Sequence, residues 1–249
     1  RTPAEHRARL GALWARFAAV ASANPWAWDR SGPSAEEILA VGPGNRPIAD
    51  PYPKRLCSQW NVDQAAALML CRAEVAQEAG VPRDRWVFPW TSAVDNRAVP
   101  VVQRPDIGRS PVLDAALAAT LAAVGKQGDD LALIDLYSCF PIAVQLAADH
   151  LGLLAGDARP GTLTGGMSLA GGPLNNYVLG AMVRLAQRAR EHPDQLALST
   201  SVSGFLHKYG AGLWSASPPP AAFRHHEVVG ATTAPVPVDE AFVGRGTIA

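Results

Sequence analysis

The chain has 249 residues, and its 22 basic and 22 acidic residues give no net charge at pH 7. This balance argues against nucleic acid or an anionic membrane surface as the binding partner. No apolar run approaches the ~20 residues of a membrane span, and three cysteines at unrelated spacings form neither a disulfide framework nor a zinc site. We therefore expect a cytoplasmic protein with one substantial core and no bound metal.

Helix-capping and helix-breaking residues divide the first hundred residues into predicted helices and one predicted strand. The clearest start is a capping box with proline at the first helical position, Thr2-Pro3-Ala4-Glu5, which predicts a helix to about Ala23. Residues 61–79 begin with a capping sequence and carry apolar residues at helical spacing, so they predict a helix that packs on a sheet. The other expected elements are a short helix from Ser34, an irregular Pro- and Gly-rich segment at 41–60, and a strand at 86–90.

The second half alternates between predicted helices and strands. The run from Leu131 to Leu136 is apolar apart from Asp135, as expected of a strand that is buried on both faces. Such alternation implies parallel strands joined by right-handed crossovers. The expected helices are 110–124, 141–151 and 173–191, and the second strand is 195–203.

Two segments of this half have the features of a binding site. The first strand ends in a polar corner, Tyr137-Ser138-Cys139-Phe140, and a glycine-rich segment at 161–172 ends at Pro173, where a helix begins. Strand ends, glycines and helix starts expose unpaired backbone N–H groups. We therefore expect the site where these segments meet.

These segments, with the block Ser199–Tyr209, also carry a family resemblance. Three motifs resemble the corresponding motifs of thiolases: the corner, Gly171-Gly172-Pro173 and the Gly204-Phe205 block. Their amino-acid sequences are most similar to those of bacterial acetyl-CoA acetyltransferase-like (thiolase-like) proteins. The resemblance runs from about Ala21 to Pro219. It implies an α/β fold of the layered βαβαβ thiolase type, with a mixed sheet covered by helices, of which this chain is the second half.

The same resemblance implies a domain plan. Residues 1–60 would be a loop-domain-like segment, 61–100 the end of an N-terminal thiolase domain, 101–220 the C-terminal thiolase domain, and 221–249 a linker with the start of a small β-domain. The chain begins with Arg1 and ends in an apparent strand at 242–249. We therefore expect an internal piece of a protein about twice as long. Its other half, or a partner subunit, is an expected partner.

The thiolase chemistry is only partly matched. The family's activating histidine aligns with Gly172, its acid/base cysteine falls near Ser201, and the corner residue that positions the oxyanion water is Tyr137. The resemblance thus makes Tyr137 and Ser201 the catalytic candidates, with the Gly172 and Gly204 amides as donors to a thioester carbonyl. The expected substrate-binding residues are Cys139, Phe140, Gly171, Gly172, Pro173, Asn175, Asn176, Gly204 and Phe205.

The expected ligand is CoA or an acyl-CoA thioester, with no separate cofactor. The first hypothesis is an acyl-CoA-binding protein with degenerate catalytic motifs. The second is an active acyltransferase whose nucleophilic cysteine lies in the N-terminal half, and the third is a thiolase-like aldolase or lyase that uses Tyr137.

Other motifs have plainer interpretations. Gly166-Met-Ser168-Leu-Ala170 is close to the nucleophile elbow of serine hydrolases, but no helix follows the serine directly. His225-His226-Glu227 is interpreted as a solvated turn, since it lacks metal-ligand spacing. The remaining expectations are loop packing for Trp26 and Trp28, and core positions for Cys57 and Cys71.

Overall fold

The computed structural model describes residues 2–97, 99–153, 157–230 and 234–246. A five-stranded mixed sheet forms its centre, in the spatial order β4-β5-β6-β3-β7. Its strands are β3 (Phe88–Asp95), β4 (Leu131–Asp135), β5 (Leu196–Ser203), β6 (Lys208–Ser215) and β7 (Arg224–Glu227). A separate two-stranded sheet pairs β1 (Pro47–Ala49) with β2 (Tyr52–Pro53).

Helices lie on both faces of the large sheet. They are α1 (Pro3–Ala23), α2 (Ala35–Leu39), α3 (Ala73–Glu78), α4 (Pro111–Ala122), α5 (Pro141–His150) and α6 (Tyr177–Glu191). The main core joins α1, α4 and α5 to one side of the strands, and Trp14 and Phe17 stack at its centre. On the other face α6 covers the sheet with Leu185 and Ala189. The α/β fold with a mixed sheet covered by helices is therefore confirmed.

The helix predicted for 61–79 is wrong over most of its length. Only Ala73–Glu78 is helical, and residues 61–72 form neither helix nor strand. A short helix is stabilised mainly by burying an apolar face against the rest of the protein. Residues 61–72 lack this stabilisation, since Met69 and Leu70 are exposed to solvent.

The strands also differ from expectation in three ways. The strand expected at 86–90 is shifted to Phe88–Asp95, and β6 was not predicted because Gly210 and Gly212 weaken its strand pattern. Parallel pairing holds for β4 with β5, but β6 runs antiparallel to both of its neighbours. Residues 225–227 are not a turn but belong to β7, which pairs in parallel with β3.

The long helices and their caps follow the sequence closely. Thr2 forms the expected capping box with Glu5, and Ser110 caps α4 ahead of its proline. The last predicted helix begins later than expected, since a 3₁₀ turn at Leu174–Asn176 precedes α6.

The glycine-rich segment lies against α1 because it lacks side chains. Gly165 has a φ of +104°, and a Cβ there would lie 2.4 Å from the Cβ of Ala21. Gly166 has a φ of +79° and its Cβ would fall 2.5 Å from the Phe17 ring. These are glycines by necessity, for backbone conformation and for space.

Three expectations concern the ends and surroundings of the chain. Residues 242–246 form no strand, and 247–249 lie outside the described residues. No described helix is long and apolar enough to cross a membrane. The domain boundaries at 60, 100 and 220 stay a prediction.

Candidate functional site

The corner after β4 is held from two sides. The Tyr137 amide donates to Thr200 Oγ1 at 2.8 Å, which links the corner to β5. The Ser58 amide donates to the Cys139 carbonyl at 3.0 Å, so the irregular segment 41–60 also reaches it. Pro141 then begins α5. The corner is thus fixed between the sheet and the N-terminal part of the chain.

The structure brings the glycine-rich segment to the same corner. The Leu136 amide donates to the Gly161 carbonyl at 3.0 Å, and the Met167 amide donates to Ser138 Oγ at 2.9 Å. Gln59 lies between the two parts of the segment, since its amide donates to Met167 and its carbonyl accepts from Gly172. The two segments singled out in the sequence therefore meet.

A buried carboxylate connects the strand end, the glycine-rich segment and α6. Asp135 is 1% exposed. Its Oδ2 accepts from the Leu163 and Thr164 amides at 2.8 and 3.1 Å and from the hydroxyls of Thr162 and Thr164 at 3.1 Å. Its Oδ1 accepts from the Tyr177 hydroxyl at 2.9 Å. Burial raises the pKa of Asp135, and these hydrogen bonds oppose the rise by favouring the charged form.

Tyr137 and Cys139 lie beside this network. The Tyr137 ring meets the Tyr177 ring edge to face, with centroids 5.6 Å apart, and Cys139 packs in the same apolar cluster. Burial raises the pKa of the Tyr137 phenol and raises that of the Cys139 thiol to about 11. Both groups therefore keep their protons at neutral pH, which makes Cys139 a poor nucleophile and Tyr137 a potential proton donor.

Gly172 has neither a free amide nor room for a side chain. Its N–H donates to the Gln59 carbonyl at 2.8 Å, so the expected donor to a thioester carbonyl is already engaged. A Cβ at this position would lie 2.2 Å from Ser58 Oγ and 3.0 Å from Met167 Cε. Ser58 thus occupies the space that a histidine at 172 would need.

The other predicted residues lie in the β5–β6 hairpin and at the corner. Ser201 is half-buried opposite Gly210, next in sequence to the Thr200 that binds the corner. Gly204 and Phe205 form the hairpin tip, where the Phe205 side chain is 76% exposed. Phe140 stacks on Tyr52 with ring centroids 6.1 Å apart.

A cavity of about 620 Å³ lies between α6 and the segments 24–28 and 63–67. Of the predicted substrate-binding residues, only Gly171, Pro173 and Asn176 are in its lining, and the corner and hairpin residues are not. Asn175 is exposed in the 3₁₀ turn that leads into α6. The remaining lining comes from residues 24–28, residues 63–67, positions 177–187 of α6, and Thr164 and Ala170 of the glycine-rich segment.

Several plainer interpretations were also tested by the structure. Ser168 is 6% exposed and its Oγ accepts from Trp14 Nε1 at 2.8 Å, so it is a core partner of the indole. Within the described ranges, no group of three or more His, Cys, Asp or Glu side chains could hold a metal. Cys57 is buried as expected, whereas Cys71 is exposed.

Trp26 and Trp28 do not pack in the core. They are 73% and 54% exposed at the rim of the cavity, so the expectation of loop packing is wrong.

Sequence reasoning missed the residues that join the segments. Ser58, Gln59 and Gln64 connect the N-terminal part to the glycine-rich segment; the Gln64 side-chain amide donates to the carbonyls of Trp26 and Ala170 at 3.1 and 2.7 Å. The one feature of the sequence that could have identified these three residues as connecting residues is their polarity within an irregular stretch. Thr162 and Thr164 carried a clearer signal, because a buried Asp135 requires nearby donors.

A comparison of this chain with solved structures shows which known proteins share its architecture. A protein of Mycobacterium smegmatis, described as a monomeric SCP2-thiolase like protein type 1, matches 89% of this chain with 33% identity and a TM-score of 0.79. The chain resembles the thiolase superfamily. This thiolase-like chain spans 48% of the length of the mycobacterial protein.

Weaker matches were found to human mitochondrial 3-ketoacyl-CoA thiolase, alone and in complex with CoA. Each has 16% identity and a TM-score of 0.46, over 59% of this chain and 34% of the human one. A scan against models of protein families and a search of curated proteins gave no match.

Proposed function

We propose that this thiolase-like chain binds CoA or an acyl-CoA thioester at the corner of Tyr137–Phe140, and that it does not supply an attacking thiolate there. Hydrogen bonds join the corner and the glycine-rich segment into one unit around Asp135, and the half-buried Tyr137 and Cys139 are its accessible polar groups. A thioester is a suitable ligand because it is uncharged at the reacting carbon and needs hydrogen-bond donors rather than counter-charges.

The observation that carries this proposal is the environment of Gly172. The thiolase histidine that activates a cysteine aligns here, yet Ser58 Oγ lies 2.2 Å from the position of a Cβ. The Cys139 thiol, with a pKa raised to about 11 by burial, is almost wholly protonated at neutral pH. Ser201 offers only a hydroxyl in place of the family's second cysteine, and a hydroxyl shuttles protons poorly at this pH.

The experiment combines calorimetry with mass spectrometry. CoA and acetyl-CoA are titrated into the protein, and the same samples are analysed for a covalent acyl adduct. We expect binding without an adduct. A stable adduct on Cys139 would overturn the absence of an attacking thiolate, whereas one on the exposed Cys71 would mark non-specific acylation. The absence of binding would leave only the fold.

Tyr137 supports a second candidate, a lyase that cleaves β-hydroxyacyl-CoA thioesters. In this cleavage the β-hydroxyl proton passes to solvent as the Cα–Cβ bond breaks, which leaves a carbonyl product and a thioester enolate. Because burial raises the pKa of the Tyr137 phenol, it is protonated at neutral pH and can deliver the proton that the enolate takes up at Cα. A Tyr137→Phe variant should then still bind CoA but lose cleavage, measured by chromatography of the CoA products. Tyr209→Phe, which removes a buried phenol outside the corner, is the matched control, and equal loss in both variants would contradict a specific role for the Tyr137 phenol.

A further inference from the structure

Ser58 lies between the corner and the glycine-rich segment. Its amide donates to the Cys139 carbonyl at 3.0 Å, and its Oγ lies 2.2 Å from the point where a Cβ on Gly172 would be. The next residue, Gln59, donates to the Met167 carbonyl at 3.0 Å and accepts from the Gly172 amide at 2.8 Å. The Ser58 hydroxyl is therefore held where the two segments of the candidate site meet.

The Gln59 side chain adds to this support. Its amide nitrogen donates to the carbonyls of Lys54 and Cys57, both at 3.1 Å. Hydrogen bonds on both sides of Ser58 thus fix its backbone before any ligand binds. A donor that is already in place loses little conformational freedom on binding, which favours its use in recognition.

The backbone donors beside Ser58 are already in use. The amides of Tyr137 and Gly172 each donate within the protein at 2.8 Å. The Cys139 thiol is only a weak donor. The Ser58 side chain is partly exposed, and among the described residues its hydroxyl has no hydrogen-bond partner. It can therefore donate to a ligand.

We propose that the Ser58 hydroxyl donates the hydrogen bond to the thioester carbonyl of a bound acyl-CoA, the role that was expected of the Gly172 amide. This inference rests on the proposed function and names the contact that distinguishes an acyl-CoA from CoA. A carbonyl oxygen accepts hydrogen bonds and carries no charge, so a neutral hydroxyl matches it. The Tyr137 phenol is left for the delivery of a proton to Cα in the lyase reaction.

The first test compares acetyl-CoA with S-ethyl-CoA, a thioether that lacks only the carbonyl oxygen, by calorimetry. We expect the wild type to bind acetyl-CoA about 2- to 12-fold more tightly, which is the effect of one neutral hydrogen bond. In Ser58→Ala this preference should disappear, while the affinity for S-ethyl-CoA stays the same. Ser217→Ala is the matched control and should keep the preference, because its hydroxyl donates to the Pro193 carbonyl before β5 begins.

The outcomes of this test separate the two proposals. Equal affinity of the wild type for the two ligands, or an unchanged preference in Ser58→Ala, would overturn the role of Ser58 and leave CoA binding in place. Failure of both ligands to bind to the wild type would overturn the proposed function and this inference together.

A second variant displaces the hydroxyl without deleting it. Gly172→Ala introduces a Cβ 2.2 Å from Ser58 Oγ, so the serine side chain must rotate, and the φ of Gly172 is not positive. We expect a folded protein by circular dichroism that has lost the preference for acetyl-CoA. A preference as large as that of the wild type would contradict the inference.

The last test observes the carbonyl itself. Acetyl-CoA with an isotope label at the carbonyl carbon gives a separate infrared band, and a hydrogen bond lowers its stretching frequency. The band of the bound ligand should lie at a higher frequency in Ser58→Ala than in the wild type. A shift in Tyr137→Phe together with none in Ser58→Ala would assign the donor to the phenol and overturn the inference.

Discussion

Tyr177→Phe removes one hydroxyl from the buried Asp135 network and nothing else. The hydroxyl donates to Asp135 Oδ1 at 2.9 Å and lies 2.9 Å from Thr164 Oγ1. A hydrogen bond to a charged group contributes about 1.5–3 kcal/mol, and here its loss leaves a buried acceptor without its partner. We therefore expect the free energy of unfolding to fall by about 2–3 kcal/mol, or roughly 4–12 °C in Tm for a chain of this size.

A second buried tyrosine provides the matched control. The Tyr209 side chain is also buried, but its hydroxyl faces Thr200 without meeting hydrogen-bond geometry. Tyr209→Phe should therefore change stability by less than about 1 kcal/mol or increase it. Urea unfolding followed by circular dichroism measures both variants, with an unchanged m-value as the sign of an intact fold. Equal effects of the two variants would refute the assignment of stability to the Asp135 network.

Three further outcomes follow from the site and its surroundings. Gly172→His should lower the melting temperature, because Ser58 Oγ occupies the space that a side chain at 172 would need. Adding Ser58→Gly should recover at least part of the loss. No recovery in the double variant would show that the clash lies with another residue. Ser168→Ala should destabilise the chain by about 1–3 kcal/mol in urea, since the Trp14 indole loses its buried acceptor, and should leave CoA affinity unchanged in calorimetry. Hydrogen bonds from Arg159 lower the pKa of Asp157 to about 2, so the ionised carboxylate contributes stability above about pH 4 that is lost as pH falls toward 2. Asp157→Asn should flatten this part of the curve of unfolding free energy against pH. An unaltered curve would contradict the pairing of Asp157 with Arg159.

Local chemistry made much of the fold predictable. The capping box at Thr2, Ser110-Pro111 before α4 and Pro141 before α5 each fix a helix start through the first turn alone. The strand at 131–135 was recognisable from its apolar run, although Ala132 is exposed and the other four residues are buried. These signals require no knowledge of distant parts of the chain.

The errors arose where distant packing decides the structure. The 61–79 stretch has helical spacing, but its conformation depends on what covers it, and Met69, Leu70 and Cys71 lie exposed. The β6 strand is rich in glycine because Ser201 and Trp214 fill the space beside Gly210 and Gly212. The filling of the space beside Gly210 by Ser201 of β5 cannot be read from β6 alone.

The candidate site was predictable in its location and less so in its contacts. The corner and the glycine-rich segment meet as expected, but their connection through Ser58 and Gln59 comes from a segment without periodicity. The engagement of the Gly172 amide by Gln59 is a long-range contact that sequence spacing does not reveal.

The contact between α1 and the glycine-rich segment has a consequence for how this sequence can evolve. At Gly165 a side chain would collide with Ala21, and at Gly166 it would collide with Phe17. Conversely, a residue larger than alanine at 21 would displace the glycine backbone. Drift at these positions must therefore be compensated across more than 140 residues of chain. In an alignment of related chains, position 165 should stay glycine because of its positive φ, and position 21 should be restricted to alanine or glycine.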